Sequence, residues 1–229
     1  MPVIDLAFRV SGDSVPADHG YALYGSLCRR LPWLHSPVPE NNPQTNRSQS
    51  SLWAEVGIHP ITGRLHGHRS VKLTPASRLT IRVASDHIGE FLTLIGATLD
   101  VDGATVRVEA PEMLSLRPAL RVYSRLVVIK GFMEPEGLLA AATRQMKASG
   151  IQGTLGLPYR AGTTSVEGRP SKVSPDPLQR RTLDICGKQI VGYAVLASEL
   201  TADESIVLQE KGLGGRRRFG CGIFVPATE

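Results

Sequence analysis

Between Val56 and Ser85 the chain carries no aspartate or glutamate, although Arg64, Arg69, Lys72, Arg78, Arg82 and three of the six histidines fall there. From Leu114 to Phe132 the only charged residues are Arg117, Arg121, Arg125 and Lys130. Segregation of this kind is the footprint expected of a polyphosphate binder, with solvated strand faces as the alternative reading. Cysteine is scarce: Cys28, Cys186 and Cys221 lie far apart with no CxxC pair. That excludes a disulfide frame or a cysteine zinc site and predicts reduced thiols in the cytoplasm. No run approaches the ~20 apolar residues of a membrane span. The start, "MPVIDLAFRV", lacks the basic and apolar regions of a secretory signal. There is no GKS or GKT, which argues against a nucleoside-triphosphate loop.

What is present is ordinary globular material. The 229 residues are 41% hydrophobic and 21% charged, with a net charge of +5. That length suits one large domain or two small ones. Along the chain one pattern runs twice. "VIDLAFRV" alternates as a strand, and "VPADHGYALYGSLCRRL" is an amphipathic helix with Asp18 or Ser14 as its cap. After the polar, Pro-rich "SPVPENNPQTNRSQSS" come two strands, "LWAEVGIHPI" and "SRLTIRVA", joined through the turn region "TGRLHGHRS". "DHIGEFLTLIGATL" is a helix capped by Ser85 or Asp86, and "DGATVRVEA" a strand.

The linker "PEMLSLRP" precedes the second pass. It comprises the strand "ALRVYSRLVVIKGF", a helix stopped at Gly150, a hairpin "RTLDI"/"IVGYAVLA" across "CGKQ", and a helix opened by a Thr201–Glu204 capping box. "FGCGIFVPA" is the expected last strand. A Gly/Pro/Ser-rich insertion separates the first of these helices from the hairpin. Two β-α-β-β-α-β passes predict an α+β protein of two tandem ferredoxin-like domains, residues 1–111 and 112–229. Their sheets are a common RNA-binding platform.

"GLGGRRRFGCGIFVP", Gly212 to Pro226, links the last helix to the last strand. Glycines let a backbone approach a ligand, successive amides can form an anion nest, and arginine forks suit phosphate. Dinucleotide fingerprints run strand, loop, helix; this order is helix, loop, strand. Two readings follow: a nucleic-acid phosphate cradle, or a glycine-rich turn with exposed arginines.

The duplicated pattern, "VPADHGYALYGSL", "LPWLH" and "GLGGRRRFGCGIF" together resemble the CRISPR-associated repeat endoribonucleases, the sixth Cas family, and most of all its MYXAN-type variant. The resemblance implies binding of the hairpin repeat of precursor CRISPR RNA and cleavage at the base of its stem. It also implies retention of the guide RNA among Cascade-type effector subunits. No metal, cofactor or membrane is expected.

Metal-free RNA cleavage needs a base for a 2′-hydroxyl, an acid for the departing 5′-oxygen, and cations at the phosphate. Histidine suits both proton roles, its ordinary pKa of ~6.5 lying near working pH. His35, in "PWLHSP", is the first candidate and His19, in "ADHGY", the second; both positions have counterparts in the family. A packing or capping role is the alternative for His19, and a surface loop position for His35. His59 reads as a packed strand residue, His66 and His68 as an exposed turn, and His87 as a solvent-facing helix start. Unlike some family members, the segment from Ser36 to Ile58 has no lysine, only Arg47. Lys72 or an arginine would then supply the charge. Gly212, Gly214, Gly215, Arg216, Arg217, Arg218, Gly220, Lys72 and Lys130 form the expected RNA-binding set. Tyr21, Tyr24, Trp33 and Trp53 are aromatic candidates for stacking on a base, with Tyr24 expected in the core. A non-catalytic RNA-binding subunit of a ribonucleoprotein is the competing reading.

Overall fold

A computed structural model describes residues 2–35, 56–67, 69–159 and 178–227. The Pro-rich loop from Ser36, Trp53, His68 and most of the Gly/Pro/Ser-rich insertion lie outside the described residues. The chain divides into two compact units: Met1–Leu116 with Arg217–Gly220, and Arg117–Arg216 with Cys221–Glu229.

In the first unit the chain order is β1 (Val3–Ser11), β2 (Ser14–Pro16), α1 (Gly20–Arg30), a 3-10 turn (Pro32–His35), β3 (Gly57–Ile58), β4 (Arg64–His66), β5 (Ser70–Lys72) and β6 (Arg78–Ala84). There follow a second 3-10 turn (Ser85–His87), α2 (Ile88–Leu92), β7 (Thr98–Val101) and β8 (Ala104–Ser115). The main sheet is ordered β3-β6-β1-β8-β7, and every pair in it is antiparallel. Its first four strands have the order of a ferredoxin-like βαββαβ sheet, with β7 added at the edge. A smaller sheet, β2-β5-β4, stands apart from that path. Leu6 and Phe8 of β1, Leu79 and Ile81 of β6, and Val106 and Val108 of β8 face Leu23 and Leu27 of α1 and Phe91 of α2 in one buried cluster.

The second unit holds β9 (Val122–Val127), α3 (Pro135–Ala148), β10 (Thr154–Gly156), β11 (Arg180–Ile185), β12 (Lys188–Ser198), α4 (Ala202–Lys211), a third 3-10 turn lent to the first unit (Arg217–Phe219), and β13 (Val225–Pro226). Its sheet runs β10-β12-β9-β13, with β11 also on β12. β10 and β11 lie on the same long strand, at Leu196–Ser198 and Lys188–Tyr193 respectively, so the insertion interrupts one edge. The β11–β12 hairpin turns at Cys186 and Gly187, φ 51° and 74°, the two positive values a tight I′ connection needs. The Thr201–Glu204 capping box is formed, and three hydrogen bonds hold the Glu204 carboxylate below its usual pKa. Val122, Val195, Leu138, Met146, Leu208 and Phe224 centre the second core.

Several expected boundaries move. Neither Asp18 nor Ser14 caps α1: Ser14 is in β2, and the N-cap is His19, which makes no side-chain cap bond. The helix expected over "DHIGEFLTLIGATL" is only five residues of α-helix, again without a side-chain cap. Thr98–Val101 instead pairs with β8 through a turn at Asp102 and Gly103, φ 55° and 79°. That Asp-Gly pair is a hairpin signal, and cross-strand burial of Leu99 and Val101 overrides local helix propensity. β8 continues through most of the expected linker because β1 offers it a partner as far as Ser115. Of "LWAEVGIHPI" only Gly57–Ile58 is strand among the described residues, and Pro60 has no N–H with which to continue a ladder. "FGCGIFVPA" contributes only Val225–Pro226 as strand.

Candidate RNA interface and histidine site

The short last strand has a physical cause in the glycines before it. Gly214 has φ 74°, and a β-carbon there would lie 2.3 Å from the Val128 carbonyl oxygen. Gly222 has φ 66°, and a β-carbon there would lie 2.1 Å from that of Leu213. Both positions demand glycine for close backbone packing. The amides are used in the same way. Gly212 donates to Leu208 O (2.9 Å), Gly214 to Gln145 Oε1 (2.8 Å), Gly215 to Val128 O (2.9 Å) and Gly220 to Arg217 O (3.1 Å). The expected anion nest is therefore not formed by these four amides. They satisfy protein acceptors, and the loop is a bonded scaffold.

The scaffold separates three adjacent arginines. Arg216, at φ 64°, is exposed. A left-handed conformation for a non-glycine costs roughly 1–2 kcal/mol, and here it turns consecutive side chains to different surroundings. Arg217 is buried at 7% exposure. Its charge reaches His59, which also lies beside the Arg82–Asp5 pair. Arg82 Nε and Nη2 each bond an Asp5 carboxylate oxygen at 2.8 Å, with Arg82 itself 1% exposed. His59 Nε2 is 3.9 Å from Asp5 Oδ1. Burial, then Arg82, push the His59 pKa down to about 4; Asp5 opposes and Arg217 adds to the fall. His59 is thus a neutral imidazole near pH 7.

Arg218 is half-buried and turns to α1 and the first 3-10 turn. Its Nη1 donates to the Tyr24 phenol oxygen (3.1 Å) and to Leu34 O (3.0 Å), and its guanidinium lies 5.6 Å from the Tyr24 ring centroid. The Tyr24 hydroxyl also donates to Leu34 O at 3.0 Å. Burial, reinforced by Cys28 and opposed by Arg218, pushes the Tyr24 pKa up to about 12, so the phenol stays protonated. Phe219 packs edge-on against Tyr24 (4.9 Å) and within 6.0 Å of Tyr21.

The two histidine candidates occupy opposite environments. His35 ends the 3-10 turn and is exposed, its ring centroid 6.4 Å from that of Tyr24. Buried Leu34 and half-buried Trp33, edge-on to Phe91 at 5.2 Å, anchor the turn behind it. His19 is 2% exposed. Its Nε2 accepts from Ile61 N–H (2.8 Å), which leaves Nδ1 to donate to Pro16 O (2.6 Å). Both ring nitrogens are committed to backbone, and proton exchange would break one of those bonds.

The remaining candidates lie on separate elements. Lys72 is exposed at the end of β5, and Lys130 is exposed in the turn after β9. Within the second unit, the Val128 carbonyl that receives Gly215 N–H stands two residues before Lys130. Tyr21 is 41% exposed, whereas Tyr24 is buried as expected. His66 is exposed on β4, and His87 bonds Glu90 at 3.2 Å. Sequence reasoning missed the Asp5–Arg82–His59 cluster. Alternation along β6 assigns Arg82 to the face opposite Ile81, but gives no sign that Asp5 and the Arg217–Phe219 turn cover that face.

Known proteins match this chain over nearly its whole length. The family described as Cas6 Crispr matches residues 4–229. The chain belongs to the Cas6 family. A CRISPR-associated endonuclease Cas6 of Myxococcus xanthus (strain DK1622) is 31% identical over 226 residues, covering 99% of this chain and 82% of the relative. Among solved structures, a Cas6-related protein from Pyrococcus furiosus superposes with a TM-score of 0.64 at 13% identity, covering 100% of this chain and 99% of the other. Thermus thermophilus Cse3, solved with an RNA representing a pre-cleavage complex, gives 0.52 at 12% identity and full coverage of both chains. Family membership makes this chain a CRISPR-associated endonuclease, and the superpositions agree with its tandem ferredoxin-like architecture. No helix among the described residues is long and apolar enough to cross a membrane.

Proposed function

We propose that this Cas6 chain binds the hairpin repeat of precursor CRISPR RNA and cuts it without metal, with His35 as the proton-transfer residue. The base draws the proton from the 2′-hydroxyl beside the cut. The 2′-oxygen bonds to phosphorus, and the P–O bond to the 5′-oxygen breaks. That oxygen leaves as a 5′-hydroxyl after taking a proton, and the other product ends in a 2′,3′-cyclic phosphate. The observation carrying this reading is the Arg218–Leu34 bond, which sets the glycine-arginine segment one residue from an exposed imidazole. His19, its ring bonded to Pro16 O and Ile61 N–H, ties β2 to the segment after β3 rather than serving the chemistry. Arg216, Lys72 and Lys130, all exposed, supply phosphate contacts whose affinity falls with salt. The guide stays bound and joins Cascade-type effector subunits in the cytoplasm.

The test is a gel of end-labelled repeat RNA with purified protein in chelator. Cleavage is expected with ordinary RNA and none with a 2′-deoxy group at the cut. His35→Ala should lose activity by roughly 100-fold or more, the scale of a removed general acid or base, while still binding. Cleavage that stops in chelator overturns the metal-free reading. Full activity in His35→Ala overturns the assignment of His35.

A further inference from the structure

We infer that Arg218 is a positioning residue for His35, acting through the Leu34 carbonyl rather than through RNA. This rests on His35 being the proton-transfer residue proposed above. A peptide unit is planar, so the Leu34 carbonyl and the His35 amide share one rigid plane that ends at the His35 α-carbon. Two donors grip that carbonyl: Arg218 Nη1 at 3.0 Å and the Tyr24 hydroxyl at 3.0 Å. The same Nη1 also bonds the Tyr24 oxygen at 3.1 Å, closing a triangle of donors and acceptor around one oxygen. Leu34 is fully buried, so its side chain fixes one end of the unit while the triangle fixes the tilt of the plane.

Arg218 is itself held on both sides. Buried Arg217 precedes it, and Phe219 packs edge-on to Tyr24 after it. The Gly220 amide closes the turn on Arg217 O, where a β-carbon at Gly220 would come within 2.9 Å of Pro60. A charged donor on a carbonyl is roughly twice as strong as a neutral one, so losing it loosens the plane more than losing the phenol. The middle of an RNA-binding-type signature is thereby assigned to the geometry of the histidine, and phosphate binding falls to exposed Arg216.

The experiment compares Arg218→Gln, Arg218→Lys and Tyr24→Phe with the unaltered protein. Three readouts are used: single-turnover cleavage at saturating repeat RNA, affinity for the 2′-deoxy repeat, and the ring resonances of His35. Arg218→Gln should slow cleavage by roughly 100-fold, the scale of an ångström of misplacement, and leave affinity for the uncleavable RNA unchanged. Arg218→Lys, which keeps the charge and one donor, should fall between, and Tyr24→Phe should lose least. The His35 ring resonances should move in Arg218→Gln and those of His87 should not. Affinity falling in step with rate would make Arg218 a phosphate ligand and overturn the inference, as would unmoved His35 resonances. If His35→Ala is inactive while Arg218→Gln cuts at full rate, Arg218 alone is excluded. If His35→Ala cuts at full rate, the reading beneath the inference has failed. Should Arg218→Gln not fold, the Lys and Tyr24→Phe variants decide by the same readouts.

Discussion

The two repeats close their sheets differently. In the first, β8 runs twelve residues, enters from a tight Asp102–Gly103 turn and pairs with β1 as far as Ser115. In the second, the equivalent strand β13 pairs with β9 only at Val225 and Pro226. The backbone ahead of it forgoes ladder bonds for other acceptors: Leu213 N–H bonds Gly222 O, and Gly222 N–H bonds Leu126 O. The first closure is a ladder whose bonds are repetitive and individually replaceable. The second is a set of single contacts that fit glycine at named positions and present three arginines in three surroundings. A strand carries the fold; a glycine-bonded loop can also aim side chains.

The sharpest way to break this comparison is a methyl group in each closure. Gly222→Ala should destabilise the protein by about 3 kcal/mol, because positive φ and a carbonyl at 2.1 Å act together. Gly103→Ala meets nothing within 4 Å despite φ 79°, and should cost only about 1 kcal/mol. Urea midpoints for the two variants check both values, and equal losses would erase the distinction.

The second test uses the cluster that the first repeat hides. His59 is held at a pKa of about 4 against an ordinary 6.5. Below pH 6.5 the unfolded chain takes up a proton there that the folded chain refuses until near pH 4. Stability from this group is therefore full above pH 6.5 and lost as pH falls toward 4, by about 3 kcal/mol in all. His59→Asn should flatten that part of the stability–pH curve, measured by denaturant midpoints at pH 7.5, 5.5 and 4.5. An unchanged slope would remove His59 from the account.

Smaller effects are expected on the arginine surface and on a helix cap. Arg216→Glu should weaken binding of the uncleavable repeat by about tenfold and shallow its salt dependence, since one phosphate partner becomes a repelling charge. Its cleavage rate at saturating RNA should stay as it was, which separates it from Arg218. Thr201→Ala should cost about 1 kcal/mol, the usual loss for an N-cap, without touching RNA affinity. A fall in affinity there would tie α4 to the interface.

Local pattern made much of this protein legible. Alternation in "VIDLAFRV", the i, i+4 spacing of Leu23 and Leu27, the Gly150 stop and the Thr201–Glu204 box all report on neighbours within a few residues, and all four appear as read. The α2 boundary escaped because Thr98–Val101 is a strand only when β8 lies beside it. The glycine-arginine loop was legible as a feature but not in its workings. Composition shows five glycines and three arginines; it cannot show that the amides of Gly212, Gly214, Gly215 and Gly220 already have acceptors. The histidines divided in the same way. His19 and His35 look alike as candidates until Pro16 O and Ile61 N–H, three and forty-two residues away, are found on the His19 ring.

The chain by itself determined its two βαββαβ passes, its basic bias and its family motifs, since periodicity, capping and turn chemistry act over short spans of sequence. Tertiary structure decided which arginine is exposed, which is buried beside Arg82 and Asp5, and which holds the Leu34 carbonyl. It also decided which histidine is left with an exposed ring. Those outcomes depend on partners as much as 194 residues apart, as Arg218 and Tyr24 are, and burial and hydrogen bonding are set by whatever the fold brings together.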